Sequence, residues 1–138
     1  MLYERATLKG VSAFSVVVEG LDPDLERYGV TKKQLQTAVE LRLRKAGLPV
    51  RDGVTLPYLY INVNSLIHDD GTASISIRVE FKQAVRLERD PTLSTMATTW
   101  DAGGVASYGV RRLREIVNYI GDFVDQFVND FLAMNPKR

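Results

Sequence analysis

The sequence contains no cysteine and only one histidine among its 138 residues. The lack of cysteine excludes disulfide bonds, thiolate nucleophiles and thiolate-based zinc sites. A single histidine excludes a metal site with several histidine ligands from one chain. We therefore predict no metal site and no cofactor.

An excess of one charge is also missing. Lysine and arginine number 18, aspartate and glutamate 17, and the net charge is +1, whereas nucleic-acid-binding domains usually carry a clear basic excess. No run of about 18 apolar residues is present, so no membrane span is predicted. The start, Met1–Arg5, lacks the pattern of a signal peptide. We expect no nucleic-acid partner, and a periplasmic or secreted location if a leader was removed, otherwise a cytoplasmic one.

The composition that is present is that of a globular protein. Hydrophobic residues make up 45% and charged residues 25% of the chain, which is ordinary usage for a folded domain. The length corresponds to one domain. We predict a single α+β domain over residues 1–138.

The first half predicts a strand, a loop and a helix. Phe14–Glu19 is rich in β-branched residues and predicts a buried strand, and Leu21–Gly29 predicts a loop. Thr31 and Gln34 have the spacing of a capping box, and Gly47 is placed to end the helix. Together these features predict a helix from Thr31 to Ala46.

Two alternating segments predict an antiparallel hairpin around His68–Thr72. Pro57–Ile67 and Ala73–Glu88 both alternate apolar and polar residues, and their apolar sets must share one face. Facing residue numbers then add to an even value. A sum of 140, which places Tyr60 opposite Glu80, is the predicted register, and 138 is the alternative.

The last third predicts a strand, a loop and a long helix. Ser94–Trp100 predicts a strand and Asp101–Gly104 a loop. An apolar stripe from Leu113 to Phe131 at helical spacing predicts a helix of about 22–25 residues. The element order is β-α-β-β-β-α, which predicts a two-layer sandwich of a mainly antiparallel sheet with two helices on one face.

One candidate binding surface lies on the polar side of the hairpin. Tyr58, Tyr60 and Asn62 share that side, and we expect Trp100 to join them. Such aromatic side chains form contact surfaces for protein, peptide or sugar, but cross-strand aromatic pairs also stabilise sheets. Leu41 falls opposite the core stripe of the first helix and is a further candidate contact.

A second candidate is the glycine-rich segment before the final helix. Gly103 and Gly104 are followed by Arg111 and Arg112, and helix N-termini and arginines bind phosphate. The segment matches neither common phosphate-binding glycine motif. An anion or small-molecule site and a plain flexible loop both stay open.

Catalytic patterns are lacking. The cluster His68–Asp70 sits at the predicted hairpin tip, where a polar turn is the simpler interpretation. No serine lies in a nucleophile elbow. We predict that the chain is not an enzyme.

Several stretches together resemble a family of small bacterial proteins of unassigned function that are generally made with a secretion leader. They include Thr7–Val11, Val16–Pro23, Leu35–Gly47, Tyr58–Asn64 and Thr98–Trp100. The strand followed by Leu-Arg-Lys-Ala-Gly is more distantly similar to the N-terminal domain of TolB and to the curli-secretion-channel family. Those are envelope components that act by assembling with other proteins. The resemblance implies an exported domain that contacts a protein partner or forms a homo-oligomer, and it implies no catalytic residues.

Overall fold

A computed structural model describes residues 3–137 of the chain. No helix within that range is long and apolar enough to cross a bilayer. The elements in chain order are a 3-10 helix (Arg5–Leu8), β1 (Ser15–Val18), α1 (Pro23–Arg27), α2 (Lys32–Lys45), β2 (Tyr58–Ile67), β3 (Thr72–Leu87), β4 (Asp90–Gly109), a second 3-10 helix (Val110–Glu115) and α3 (Ile116–Met134).

The four strands form one mixed sheet in the order β1-β2-β3-β4. Strand β1 pairs parallel with β2, and the other two pairings are antiparallel. A parallel pair needs a long crossover connection, which α1 and α2 supply. The predicted α+β class with a mainly antiparallel sheet is confirmed.

The predicted register of the β2–β3 hairpin is also confirmed. Tyr60 faces Glu80 and Val63 faces Ile77, so the facing residue numbers add to 140. The register follows from burial, because a slip by one residue would turn every apolar side chain of the strand towards solvent.

Helix α2 begins and ends as predicted. The Gln34 N–H donates to the Thr31 hydroxyl at 3.2 Å, and the Thr31 N–H donates to the Gln34 side chain at 3.3 Å. At the other end Gly47 has φ +85°, and the Leu48 N–H donates to the Leu43 carbonyl at 3.1 Å. This pattern is a Schellman cap, for which glycine is the preferred residue.

Two predictions around the helices were wrong. The segment predicted as the loop Leu21–Gly29 contains α1, which starts because the Asp22 side chain accepts from the Asp24 N–H and Pro23 occupies the first turn. The final helix is also shorter than predicted. Its first part is the 3-10 helix Val110–Glu115, and α3 itself has 19 residues.

The helices α2 and α3 pack on one face of the sheet, as predicted. The apolar residues of both helices and the inward residues of all four strands form one buried cluster. Phe127 lies at its centre, with ring centroids 5.5 Å from Phe14, 5.3 Å from Phe81 and 5.1 Å from Trp100. The opposite face of the sheet carries no helix within residues 3–137.

Strand β4 runs through the segment that we predicted to be a loop. Gly103 faces Arg78 and Gly104 faces Ile77 in a regular ladder. These glycines mark close approach and not a turn, since a Cβ at Gly103 would overlap the Ile77 carbonyl oxygen and one at Gly104 would lie 2.5 Å from the Tyr119 hydroxyl.

The β3–β4 pairing contains two irregularities, one between Arg86 and Leu87 close to the turn and one near its middle. Phe81 faces Trp100, but Lys82 faces Thr98, so Thr99 is an extra residue in β4. Beyond this point the two strands outrun β2, whose first residue Tyr58 faces Lys82. Residues 83–98 therefore form a two-stranded ribbon, which we call the β3–β4 ribbon.

Candidate interaction surface

The sheet face that carries no helix is the candidate site, and we call it the open face. Strand alternation and register place on it the side chains of Val17, Tyr58, Tyr60, Asn62, Asn64, Leu66, Ser74, Ser76, Arg78, Glu80, Lys82, Thr98, Asp101, Val105 and Ser107. They fall into an aromatic pair, a charged row across the sheet and a neutral end.

The aromatic pair is Tyr58 and Tyr60, which the sequence placed correctly on this side. Their ring centroids are 6.3 Å apart and both rings are half-buried. The Tyr58 hydroxyl donates to the Met96 sulfur at 3.3 Å. The Lys82 ammonium lies 5.6 Å from the Tyr60 ring centroid, within cation–π range.

The charged row begins at Tyr60 and Glu19. The Tyr60 hydroxyl donates to the Glu19 carboxylate just beyond the end of β1. This hydrogen bond, together with partial burial and the Glu19 and Glu80 charges, raises the pKa of Tyr60 to about 12. A phenol with that pKa stays neutral at physiological pH and acts as a hydrogen-bond donor.

The row continues through Glu80 to the last strand. The Glu80 carboxylate lies 2.7 Å from the Lys82 ammonium and accepts from the Thr98 hydroxyl at 2.9 Å. Burial alone would raise the pKa of Glu80, but the hydrogen bonds from Lys82 and Thr98 outweigh it and lower that pKa. Arg78 lies 3.7 Å from Glu80 and pairs with Asp101 on β4.

The 3-10 helix at the start of the described chain closes the row at the sheet edge. The Glu4 carboxylate accepts a hydrogen bond from the Asp101 N–H. Burial is the main reason that the pKa of Glu4 is raised, and the nearby Asp101 carboxylate adds to it. Each charged group of this row has a hydrogen-bond or ion-pair partner, but its four carboxylates outnumber Arg78 and Lys82, so the row carries a formal net charge of −2.

The neutral end of the open face has small polar and exposed apolar side chains. It comprises Asn62, Asn64, Leu66, Ser74, Ser76, Val105 and Ser107. Leu66 is 62% exposed and Val105 79% exposed. Within residues 3–137 the side-chain amide of Asn62 makes no hydrogen bond, so it is available to a partner.

The prediction that Trp100 lies on the same face was wrong. Trp100 is only 2% exposed, points towards the helices and donates from its indole N–H to Asp130 at 2.9 Å. The extra residue Thr99 is the physical reason. It reverses the alternation, so Thr98 faces solvent while Trp100 faces the core.

Leu41 is exposed, as expected, but it lies elsewhere. Its side chain is 51% exposed on α2, in the helical layer. The open face lies on the opposite side of the sheet. One partner surface therefore cannot contact Leu41 and Tyr60 side by side.

The candidate anion site is not assembled. Gly103 and Gly104 lie within β4, and Arg111 and Arg112 lie in the following 3-10 helix. At about 3.3 Å per residue, the strand separates Gly103 from Gly109 by about 20 Å. Arg112 also forms a two-point ion pair with Glu115, at 3.0 Å for each contact. The predicted glycine loop was wrong, because close strand packing and not a turn requires these glycines.

The single histidine lies at the exposed hairpin tip. A ring nitrogen of His68 is 2.8 Å from the Ser74 hydroxyl, and Asp70 accepts from the Thr72 N–H at 3.0 Å, as in a polar turn. No group of three side chains suited to a metal ion occurs among the described residues.

Sequence reasoning missed Glu19, Met96 and Glu4 as parts of this surface. Each contacts its partner through a strand pairing or a terminal segment far away in sequence. The only sequence feature that could have indicated one of them is strand alternation, which places Glu19 on the same side as the outward-facing residues of β1.

No protein-family model matches the chain, and no curated protein matches it. Among solved structures, it is similar to a minor lipoprotein from Acinetobacter baumannii. The identity is 13%, the match covers 92% of this chain and 88% of that one, and the TM-score is 0.27. A likeness of that size assigns neither a fold nor a function.

Proposed function

We propose that this chain is a non-enzymatic binding module of the bacterial cell envelope that acts by protein contact through its open face. The observation that carries the proposal is a sheet face free of helices within residues 3–137, with an aromatic pair at the start of β2. Sheet faces in two-layer folds are ordinarily polar where they meet water. Among its polar residues this one also exposes Leu66 and Val105 and carries the half-buried rings of Tyr58 and Tyr60.

The chemistry of the face defines the partner. The charged groups of the row already have hydrogen-bond or ion-pair partners within the chain, while the amide of Asn62, the serines and the tyrosine rings are available. The fitting partner is therefore a protein surface that offers neutral hydrogen-bonding and apolar groups. Binding of this kind depends only weakly on salt, because the groups that the partner contributes are neutral.

Two further parts of the proposal have separate support. The envelope location is supported by the resemblance of the sequence to exported bacterial proteins. The non-enzymatic role is supported by the lack of cysteine and by the exposed position of His68. Fractionation of the native bacterium tests the location, and recovery of the protein only in the cytosol would contradict it.

Site-specific photo-crosslinking tests the contact surface. A photoreactive amino acid at Asn62 on the open face is compared with one at Leu41 on the helical layer, in the bacterium that encodes the chain. We expect one discrete protein adduct from position 62 and none from position 41. Equal adducts, or an adduct from position 41 alone, would show that the open face is not the contact surface.

Once the partner is identified, Tyr58 provides the quantitative test. Aromatic anchors at interface centres contribute about 2 kcal/mol or more, so Tyr58→Ala should weaken binding by about 30-fold. Lys33→Ala on α2 is the matched control and should leave the affinity unchanged. A salt series on the wild type should change the affinity little.

A further inference from the structure

The outer edge of β4 is a second surface, distinct from the open face. Strand β4 is the last strand of the sheet, and its ladder with β3 is continuous from Trp100 to Gly109. The Val110 N–H donates to the Gly71 carbonyl at 3.0 Å. In an antiparallel ladder, alternate residues bond to the neighbour, so the even-numbered residues of this stretch face β3 and the odd-numbered ones point outward.

The edge is covered at Thr99 and Asp101 by the first 3-10 helix and by Glu4, the residue that precedes this helix. The Asp101 N–H, which points outward, donates to Glu4, and the Thr99 carbonyl accepts from the Thr7 hydroxyl at 3.3 Å. Both bonds agree with the direction deduced from Val110. These two hydrogen bonds involve outward backbone groups of the edge as far as Asp101, and none beyond it.

Beyond Asp101, towards Gly109, no other segment covers the edge within residues 3–137. The next outward residues are Gly103, Val105, Ser107 and Gly109, and all four are exposed. Within residues 3–137 their outward N–H groups donate no hydrogen bond and their outward C=O groups accept none. We call this stretch the free edge.

The free edge lacks the features that usually protect an edge strand. Natural edges carry lysine, proline, bulges or a covering segment. Here the bulge at Thr99 and the proline at position 91 both lie on the other side of Asp101. Residues 102–110 contain neither a charge nor a proline. The segment is therefore suited to pair with another strand.

We propose that the free edge pairs antiparallel with the same segment of a second copy of the chain, in a two-fold dimer with one continuous sheet. Outward residues must meet outward residues, so facing residue numbers add to an even value. A sum of 212 uses the whole free edge: Gly103 faces Gly109 of the second copy, and Val105 faces its Ser107. This ladder has about eight hydrogen bonds, two for each facing pair.

The side chains favour a second copy as the occupant, because the segment is complementary to itself. On the helix side, Tyr108 faces Gly104 of the second copy, and an aromatic ring across from glycine is a stabilising cross-strand pair. Ala106 faces its own counterpart on the two-fold axis. At each end Asp101 of one copy comes near Arg111 of the other, so opposite charges meet.

The neighbouring registers are less favourable. A sum of 210 brings the outward N–H of Asp101 into the ladder, and this group is already bonded to Glu4. A sum of 214 leaves Gly103 unpaired. Only the register of 212 satisfies every free group without breaking an existing bond.

This inference goes beyond the proposed function, since it concerns the edge and not the open face. A two-fold axis perpendicular to the sheet places both open faces on the same side of the dimer. A single added strand pairing buries less than the roughly 1,200 Å² of a stable interface. We therefore expect a weak dimer, populated at high concentration or when the chain is held at a surface.

Cysteine cross-linking tests the register directly, because the native chain has no cysteine. Ala106→Cys places two thiols opposite each other at a non-hydrogen-bonded pair, with Cα atoms about 4.5 Å apart, which a disulfide can span. Ala102→Cys is the matched control on the same strand, face and residue type. Its two thiols would be about 27 Å apart in this register.

We expect mild oxidation to convert most of the Ala106→Cys variant to a disulfide-linked dimer and to leave the Ala102→Cys variant largely monomeric. Equal cross-linking of the two variants, or none in either, would overturn the proposal. Preferential cross-linking of Ala102→Cys would also overturn it, since that result requires another register.

A second variant pair tests the same edge without oxidation. The Val105 N–H points away from β3, so Val105→Pro removes an outward donor and leaves the β3 ladder intact, while Val105→Thr retains the donor. In sedimentation velocity over about 1–500 µM, the wild type and Val105→Thr should shift towards a dimer and Val105→Pro should not. If Val105→Pro fails to fold, the cysteine pair still decides.

The outcomes separate this inference from the proposed function. A wild-type chain that stays monomeric at every concentration and does not cross-link at position 106 overturns the edge dimer. An adduct between position 62 and a different protein would still support the open face. A free edge occupied by a strand of another protein would appear as its adduct at position 108, which lies on the helix side of the edge and not on the open face, with no self-adduct, and would equally overturn the dimer.

Discussion

Replacement of Trp100 distinguishes the position that the sequence predicted from the one that the structure shows. The side chain is 2% exposed, its ring centroid lies 5.1 Å from that of Phe127, and its N–H donates to Asp130. Removing a buried aromatic side chain costs about 3–5 kcal/mol. For a chain of this length, that loss lowers the melting temperature by about 10–15 °C.

The comparison of three variants separates packing from hydrogen bonding. Trp100→Ala should cost the full amount. Trp100→Phe keeps a ring against Phe127 and loses the bond to the Asp130 carboxylate, for about 1.5–3 kcal/mol. Tyr58→Ala, on the open face, should cost about 1 kcal/mol or less.

Urea unfolding followed by circular dichroism is the suitable assay. Trp100 is the only tryptophan, so fluorescence would lose its reporter in these variants. The slope of the transition should stay constant while the midpoint moves. A loss of less than about 0.5 kcal/mol for Trp100→Ala is typical of a surface position, and would refute the reasoning that places this ring in the core.

Three further predictions concern the sheet. Gly103→Ala should destabilise the fold by about 1–3 kcal/mol through overlap with β3, whereas Gly109→Ala, with open space around it, should be neutral or slightly stabilising in urea unfolding; equal effects would contradict the close packing. The pKa of Tyr60 in the folded protein is raised to about 12. The stabilisation by its hydrogen bond to Glu19 is therefore complete below about pH 10, the ordinary tyrosine value, and is lost as the pH rises towards 12. Tyr60→Phe should flatten the dependence of stability on pH in this range, and an unchanged profile would rule out this hydrogen bond. The lowered pKa of Glu80 predicts the opposite sign, with stability lost as the pH falls below about 4.3, the ordinary glutamate value; thermal unfolding of Glu80→Gln should show a weaker acid dependence than the wild type, and equal dependence would contradict the ion pair.

Local signals fixed in short segments were predictable from the sequence. The capping box at Thr31 determines where α2 begins, and the glycine at position 47 determines where it ends. Each of these motifs spans only a few residues. The β2–β3 register follows from the alternation of two neighbouring segments. In each case the information lies close together along the chain.

Strand β4 could not be predicted in the same way. Its glycines are required by the backbone of β3 and by Tyr119, contacts that appear only once the strands are paired. The single extra residue Thr99 then reverses the side-chain alternation. Parity counted from Thr98 consequently places Trp100 on the wrong face.

The candidate surface was predictable only in part. Tyr58, Tyr60 and Asn62 lie on one alternating segment, so their common face could be deduced. The partners that fix Tyr60 and Asp101, namely Glu19 and Glu4, come from other elements. Leu41 was correctly expected to be exposed, but its layer depends on how α2 crosses over the sheet.

The β3–β4 ribbon has a consequence for local unfolding. Its strands pair only with each other over residues 83–98 and extend about 17 Å beyond β2 at about 3.4 Å per residue, and an isolated two-stranded ribbon is marginally stable in water. Strand β4 therefore passes from the four-stranded sheet into a region that opens independently. The even-numbered amides from Ala102 to Tyr108, which bond to β3, should exchange with solvent only as the whole protein unfolds, while those near Ser94 exchange through local fraying. Exchange of those β4 amides that bond to β3 would then fall from fast to slow within a few residues.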